Sequence, residues 1–465
     1  MERRWQVLAV VCVGVFIASL DLFIVNIAFP DIQADFTPSS LGALSWILNA
    51  YAIVFAALLV PAGRLADAFG RKRAFLLGLW LFTLASAAAA AAPSVELLVA
   101  ARVLQAAGAA LIIPTTLGLL LPEFTPEQRP VAIGIWAAAG GVAAAAGPPV
   151  GGLLVQLSWH WVFLVNLPIG LAAIVAGSRI LEEIRDVDAQ RPDLLGALAL
   201  ILGVATLVAG IVKGQEWGWS SGRVLGALVA SIGLLGLVTA RCRTHPSPII
   251  EPELVRVRSF SFAVAGAGLF FVAFAAMLLG TVLFLTQVWG ESTLTAGLMI
   301  APGPASAAAF SIPGARLGAR FGQRVVGSVG GGLTALGALW WLTQLSGEPA
   351  YATAFLPGMI IGGVGVGLVN PSLTAAAASS LPPARFATGA ALITMGRQLG
   401  SAFGVALLVP VLGLTPDAGA FDGAWTMMLG FSVAAALAMA FMGLTPAIAR
   451  DGVGVPSSAG AEAVA

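Results

Sequence analysis

Two charged side chains stand where charge is least expected. Asp21 sits in the apolar run Leu20-Asp21-Leu-Phe23-Ile-Val-Asn26-Ile-Ala-Phe-Pro30, and Arg102 in Arg102-Val-Leu-Gln105-Ala-Ala-Gly108-Ala-Ala110. A carboxylate or guanidinium at mid-bilayer costs roughly 2.5–3.5 kcal/mol on insertion scales, so it persists where it is paired, protonated or used. Pairing lowers a carboxylate pKa and desolvation raises it, so a rearrangement that opens a pair can move a proton. Material for other chemistry is scarce. The chain has two histidines, His160 and His245, and two cysteines, Cys12 in an apolar run and Cys242 in a basic segment. That set offers neither a zinc site nor a disulfide framework. A nucleophile–base pair within the apolar runs is missing too, so an enzyme is not expected. Gly363-Val-Gly365-Val-Gly367 has no strand before it and reads as small-residue helix packing; no Walker A motif is present.

The elements that must position Asp21 and Arg102 follow from composition. Of 465 residues, 59% are hydrophobic and 10% charged, with mean hydropathy +0.96. A soluble protein needs far more polar surface, so the chain reads as an all-α integral membrane protein. With roughly 20 apolar residues per span, fourteen helices are expected at 6–30, 44–62, 74–92, 96–120, 130–155, 161–180, 194–212, 223–241, 260–288, 294–314, 325–345, 351–372, 387–412 and 423–446. The first carries Asp21 and no convincing cleavage site, so it is read as a span and not a signal peptide. Basic residues collect in alternate loops; only Arg102, Lys213, Arg223 and Arg397 fall elsewhere. The positive-inside rule then places both termini in the cytoplasm. The 23 basic and 22 acidic residues nearly cancel, leaving no field for nucleic acid.

A repeat organises the spans. Pro61-Ala-Gly63-Arg-Leu-Ala-Asp67-Ala-Phe-Gly70 aligns with Pro313-Gly-Ala-Arg-Leu-Gly-Ala-Arg-Phe-Gly322, with Ala319 where Asp67 stands. The offset covers eight helices although each repeated set needs six. Two six-helix halves, 1–185 and 259–450, are therefore expected on either side of an inserted pair at 186–258, with a disordered tail at 451–465. The acidic segment 182–193 and the basic segment 241–258 read as solvated linkers.

Four motifs give the chain a family resemblance over essentially its whole length. Gly63-Arg-Leu-Ala-Asp67-Ala-Phe-Gly70-Arg71-Lys72-Arg73 lies between the second and third helices, and its glycines allow tight turns. The Asp21 and Arg102 runs are the next two. The fourth is Gly134 followed by Gly147-Pro148-Pro149-Val-Gly151-Gly152, small residues and helix-bending prolines in the fifth helix. Together they resemble the major facilitator superfamily, and within it the fourteen-span drug:proton antiporters. Departures are Phe23 in place of a usual threonine, and Ala106 and Ala143 in place of usual glycines. Trp46, Tyr51 and the stretch from Trp159 to Gly170 fit further family patterns, as does Arg397-Gln398-Leu-Gly400.

The resemblance implies a secondary transporter of the plasma (inner) membrane, exporting hydrophobic drugs or toxic compounds against protons by alternating access. The substrate would be a small hydrophobic compound, neutral or cationic. No cofactor is implied, since the proton gradient supplies the energy, and the functional unit is a monomer. Asp21, Arg102, Gln105, Phe23 and Asn26 are the candidates for proton coupling and substrate contact. Arg102 and Gln105 share a helix face, and Arg102 enters its helix to a depth of ~12 Å, near that of Asp21. Gly63, Asp67, Gly70 and Arg71 are the candidates for a cytoplasmic gate. Gly134, Gly147, Pro148, Gly151 and Gly152 would form a hinge or seal, and Arg397 is a candidate for the cavity. Bland readings stand beside these: a structural ion pair, a merely basic loop, ordinary helix packing, and a snorkelling arginine. A dedicated exporter of one endogenous product (an antibiotic, a lipid-like molecule or a siderophore) is the functional alternative. Trp159, His160 and Trp161 read as an outer interfacial belt.

Overall fold

The computed structural model describes residues 2–125, 128–185, 192–381, 386–413 and 417–442. The tail at 451–465, residues 186–191 of the linker, and Arg191, Arg385 and Arg450 lie outside the described residues. Backbone N–H and C=O groups cannot be left unpaired in lipid, so apolar runs of this length form helices. Among the described residues, fourteen are long and apolar enough to span. They are α1 (Arg3–Asp35), α2 (Leu41–Phe69), α3 (Arg71–Ala90), α4 (Val95–Glu123), α5 (Val131–Val155), α6 (Trp161–Ile180), α7 (Leu194–Val212), α8 (Gly222–Thr244), α9 (Arg258–Val288), α10 (Thr293–Phe321), α11 (Gln323–Gln344), α12 (Tyr351–Ala376), α13 (Thr388–Leu412) and α14 (Ala418–Ala440). No strand occurs among the described residues.

Helix starts are chemically marked. Ser40, Ser94, Asp193, Ser221, Ser292 and Asp417 each accept a hydrogen bond from a backbone N–H of the first turn, satisfying a donor the helix cannot. The repeated motif folds alike in both copies. Gly70 (φ 116°) ends α2 and Gly322 (φ 91°) ends α10, in a left-handed backbone that favours glycine. Each is followed directly by the next helix, α3 or α11. Gly63 does not turn, contrary to expectation. It lies inside α2, where an added Cβ would stand 3.3 Å from Pro114 Cβ, so its smallness serves α2–α4 contact.

Packing repeats as the motif does. α1 packs on α5, α2 and α3 pack on α4, and α3 packs on α6. Correspondingly α9 packs on α13, α10 and α11 pack on α12, and α11 packs on α14. Between the two sets, α2 lies along α13, and α5 meets the first part of α10. The inserted pair, α7 and α8, packs together, and α7 lies against both α2 and α13, over their seam. At the end where α1 finishes, one apolar core runs through both sets, from Ile24, Phe29 and Leu44 to Phe284, Trp341, Phe421 and Trp425. Polar links reinforce it: Thr293 donates to Asp31, Gln287 Nε2 donates to Gln33 Oε1 at 3.2 Å, and Trp159 Nε1 donates to Asp35 Oδ2 at 2.8 Å. Toward the arginine-rich end, Val131, Ile133, Ile135 and Val142 of α5 and Phe310, Ile312, Leu317 and Phe321 of α10 are exposed.

Candidate functional site

Asp21 and Arg102 meet in the first set. Their side chains are 0% and 1% exposed and form an ion pair. Arg102 Nη1 donates both to Asp21 Oδ2 and to Gln105 Oε1, the latter at 2.6 Å. Its Nε donates to the Ile47 carbonyl at 3.1 Å, and its guanidinium lies 4.2 Å from the centre of the Tyr51 ring. Gln105 Nε2 completes the triangle, donating to Asp21 Oδ1 and to Ser86 Oγ, each at 2.8 Å. The helical spacing of Arg102 and Gln105 puts both groups on one face of α4, so one carboxylate can engage both. A buried pair is tolerable only when its remaining polar valences are filled, and here Gln105 of α4 and the Ile47 carbonyl of α2 fill them.

Ser86 and Asn166 extend the cluster and carry no sequence flag as chemistry. Ser86 Oγ donates to the Phe82 carbonyl at 2.8 Å and accepts from Asn166 Nδ2 at 3.4 Å. Ser86 sits in an alanine-rich stretch of α3 with no spacing signal; Asn166 is legible only through its family pattern. Asn49 Oδ1 and Tyr51 Oη of α2, Thr83 Oγ1 of α3 and Asn166 Oδ1 of α6 are buried without a partner among the described residues.

Phe23 and Asn26 are not part of it. Residues two apart on a helix point about 200° away from each other, so Phe23 leaves the opposite side of α1 from Asp21. It meets Phe274 of α9 edge-on, ring centres 6.4 Å apart. Asn26 Nδ2 donates to the Leu22 carbonyl at 2.7 Å within α1. A single pocket holding Asp21 and Phe23 is therefore corrected: the carboxylate is enclosed within the first set, and the aromatic ring faces the second.

The glycines of α5 divide by contact. An added Cβ at Gly147 would stand 2.5 Å from Phe23 Cβ, and at Gly151 3.0 Å from Ile24 Cγ1, both on α1. At Gly152 it would stand 3.0 Å from Leu294 Cα of α10, and Gly297 of α10 approaches the Pro148 carbonyl. So Gly147, Pro148, Gly151 and Gly152 let α5 close on α1 and α10 at once. Gly134 takes no part, with nothing within 4 Å of its Cβ position.

The loop motif is braced within its own set. Arg71 Nε pairs with Asp67 Oδ1 at 2.7 Å, and Arg71 Nη1 donates to the Gly118 carbonyl at 2.9 Å. Glu183 accepts from the Lys72 and Arg73 backbone N–H groups at 3.0 and 3.2 Å, against Gly70, where a Cβ would meet its carboxylate. Within this motif Arg64 reaches out of the first set. It donates to Ser247 and pairs with Glu251 at 3.1 Å. The described residues of segments 182–193 and 241–258, read as solvated linkers, are thus engaged. Asp193 and Arg241 pair at 2.7 Å at the base of α7 and α8, and Ile249 and Leu254 join a core with Ala56, Val60 and Phe260. Trp159 is a further correction. It is buried and stacked on His160 (3.9 Å between centres); only Trp161 is exposed.

The family model described as Major Facilitator Superfamily matches residues 11–405 and 265–457. The chain belongs to this superfamily. Multidrug resistance protein Stp of Mycobacterium tuberculosis is 35% identical over 416 residues, covering 88% of this chain and 76% of that protein. The tetracenomycin C resistance and export protein of Streptomyces glaucescens is 35% identical over 428 residues, covering 87% and 75%. A crystal structure of an auto-inhibited POT family peptide transporter superposes with a TM-score of 0.68 at 17% identity, covering 94% of this chain and 96% of that one, a likeness of fold. The superfamily's two helix sets and their seams thus frame the cluster: Asp21 and Arg102 sit inside one set, while Phe23, Gly147 and Gly152 stand where that set meets the other.

Proposed function

We propose that this superfamily member exports hydrophobic small molecules across the plasma membrane in exchange for protons, by alternating access. The sets 1–185 and 259–450 rock against each other, and 186–258 bridges them. The observation that carries the reading is the enclosed Asp21–Arg102–Gln105 cluster, one helix away from the α1–α5–α10 seal. Motion of α1 at that seal strains the pair behind it, and a carboxylate deprived of its cation in a dry interior is favoured to take a proton. The seal lies at the acidic end, and exposed flanks of α5 and α10 lie at the arginine-rich end. With that end cytoplasmic, the conformation faces inward, ready to load from the cytoplasm or inner leaflet. The names of the relatives, multidrug resistance and antibiotic export, support outward movement of apolar compounds. Asp21 then carries the proton without touching substrate, which the aromatic side of α1 meets instead.

The test uses inside-out vesicles with an acid interior, a pH-quenched dye and a panel of lipophilic compounds. Substrate-triggered proton release by the wild type and none by Asp21→Asn is the expected result. Full proton-coupled efflux by Asp21→Asn would refute the assignment.

A further inference from the structure

One charged side chain at mid-span has no counter-charge among the described residues. Arg397 lies in the middle of α13, and its guanidinium carbon stands 4.5 Å from the centre of the Phe271 ring. Phe271 belongs to α9, a helix largely buried inside the protein, so a group over that ring faces the interior and not lipid. Arg397 itself is only half-buried, so part of its surface is open. Among the described residues, no carboxylate pairs with it, and none of the hydrogen bonds found there starts from its side chain. Arg102 shows the contrast: also inside a span, it is matched by a carboxylate, an amide and a carbonyl. Intramembrane charge without a protein partner marks a ligand or ion path.

The rings around Arg397 continue toward the other set. Phe271 meets Phe274 (5.2 Å between centres), and Phe274 meets Phe23 of α1. A fixed cation at one end and a run of aromatic faces and edges beside it match a flat apolar molecule bearing a negative charge. Guanidinium suits this task, since its planar fork pairs with two oxygens while its face stacks on a ring. The only acidic residue comparably deep, Asp21, is consumed by Arg102 and points the other way. A cationic substrate would therefore meet an unopposed positive charge and find no accessible carboxylate.

We propose that Arg397 is a substrate-reading residue, and that the exporter takes planar aromatic acids, molecules carrying a carboxylate, phenolate or enolate, in preference to lipophilic cations. This deepens the export reading above and rests on it for transport, though not for binding. The sequence had left the substrate as neutral or cationic; the unpaired guanidinium reverses that sign.

The experiment uses three probes of one tricyclic skeleton: fluorescein as anion, rhodamine 123 as cation and xanthone as the uncharged member. Binding to the purified full-length chain is read by fluorescence polarisation for the dyes and by tryptophan quenching for xanthone. Flux is read in proteoliposomes. Wild type is expected to bind fluorescein at least tenfold more tightly than rhodamine 123. Arg397→Gln should weaken fluorescein by ~10- to 100-fold, the worth of a charge-assisted hydrogen bond, and leave xanthone within about twofold. Arg397→Lys should recover part of the loss, because charge is kept and the planar fork is not. Unchanged xanthone binding certifies that each variant is folded. Equal or tighter binding of rhodamine 123, fluorescein binding indifferent to Arg397→Gln, or no fluorescein binding overturns the proposal. Arg397-dependent binding of fluorescein without flux of any probe would sustain this inference and count against the export reading.

Discussion

Neutralising one member of the buried pair should cost much more than neutralising both. Arg102 keeps its bonds to Gln105 Oε1 and the Ile47 carbonyl, and the Tyr51 face, when Asp21 becomes Asn. Asp21 keeps only the Gln105 Nε2 bond when Arg102 becomes Gln. Leaving one buried charge unpaired costs about 3–5 kcal/mol. The better-solvated cation places Asp21→Asn near ~3 kcal/mol and Arg102→Gln near ~5 kcal/mol on that scale. The double variant holds no buried charge and loses only neutral hydrogen bonds, about 1–2 kcal/mol. The coupling should then reach about 6–7 kcal/mol, on the order of 10⁴- to 10⁵-fold in the unfolding constant. Equilibrium unfolding of the four proteins in mixed micelles, followed by tryptophan fluorescence, measures it. Additivity within about 0.5 kcal/mol would refute the reasoning, since residues that do not interact add. The double variant also separates stability from proton coupling: it should be well folded and still fail to release protons when substrate is added.

Two further perturbations probe the seal and the inserted pair. Gly147→Ala forces a Cβ to within 2.5 Å of Phe23 Cβ and should destabilise by about 1–3 kcal/mol, whereas Gly134→Ala, with open space around it, should be neutral or gain up to ~1 kcal/mol of helix propensity; thermal unfolding in nanodiscs compares the two. At the base of α7, burial pushes the Asp193 carboxyl up, but the Arg241 hydrogen bonds and the Gly196 N–H outweigh burial and hold it below the usual carboxylate range. A depressed folded-state value means that its stabilisation is present above the unfolded value of about 3.9 and is lost as pH falls through the folded one. Asp193→Asn keeps the cap but not the charge, so it should lower stability at neutral pH by ~1 kcal/mol and flatten the decline below about pH 4, read as unfolding midpoints between about pH 6 and pH 3.

Sequence alone determined the local quantities. Hydropathy is summed over one segment, and a helix in lipid must satisfy its own backbone, so fourteen spans were legible and their bounds moved by only a few residues, except where α1 ran on to Asp35, α2 to Phe69 and α10 to Phe321, and where α14 began earlier, at Ala418, and ended earlier, at Ala440. The cost of charge in lipid singled out Asp21 and Arg102, and helical spacing set Gln105 beside Arg102. The duplicated Arg-Leu and Phe-Gly spacing marked the same junction in both sets, read as a loop; in the structure α2 and α10 run through it to Gly70 and Gly322 and the next helix follows directly.

Tertiary structure decided which way each side chain looks and what answers it. Asp21 and Phe23 are neighbours in sequence, yet they serve different surfaces because α1 has one set behind it and another in front. Glu183, Ser247, Glu251 and Asp193 looked like solvated loop residues; their partners Lys72, Arg73, Arg64 and Arg241 lie far away in the chain, and no local pattern names a distant partner. Gly147 and Gly134 share one motif and part company on contact alone. Arg397 is the sharpest case. A mid-span arginine announces itself in the sequence, but whether a carboxylate meets it depends on α9 and α13 coming together, and there it finds a phenyl ring instead.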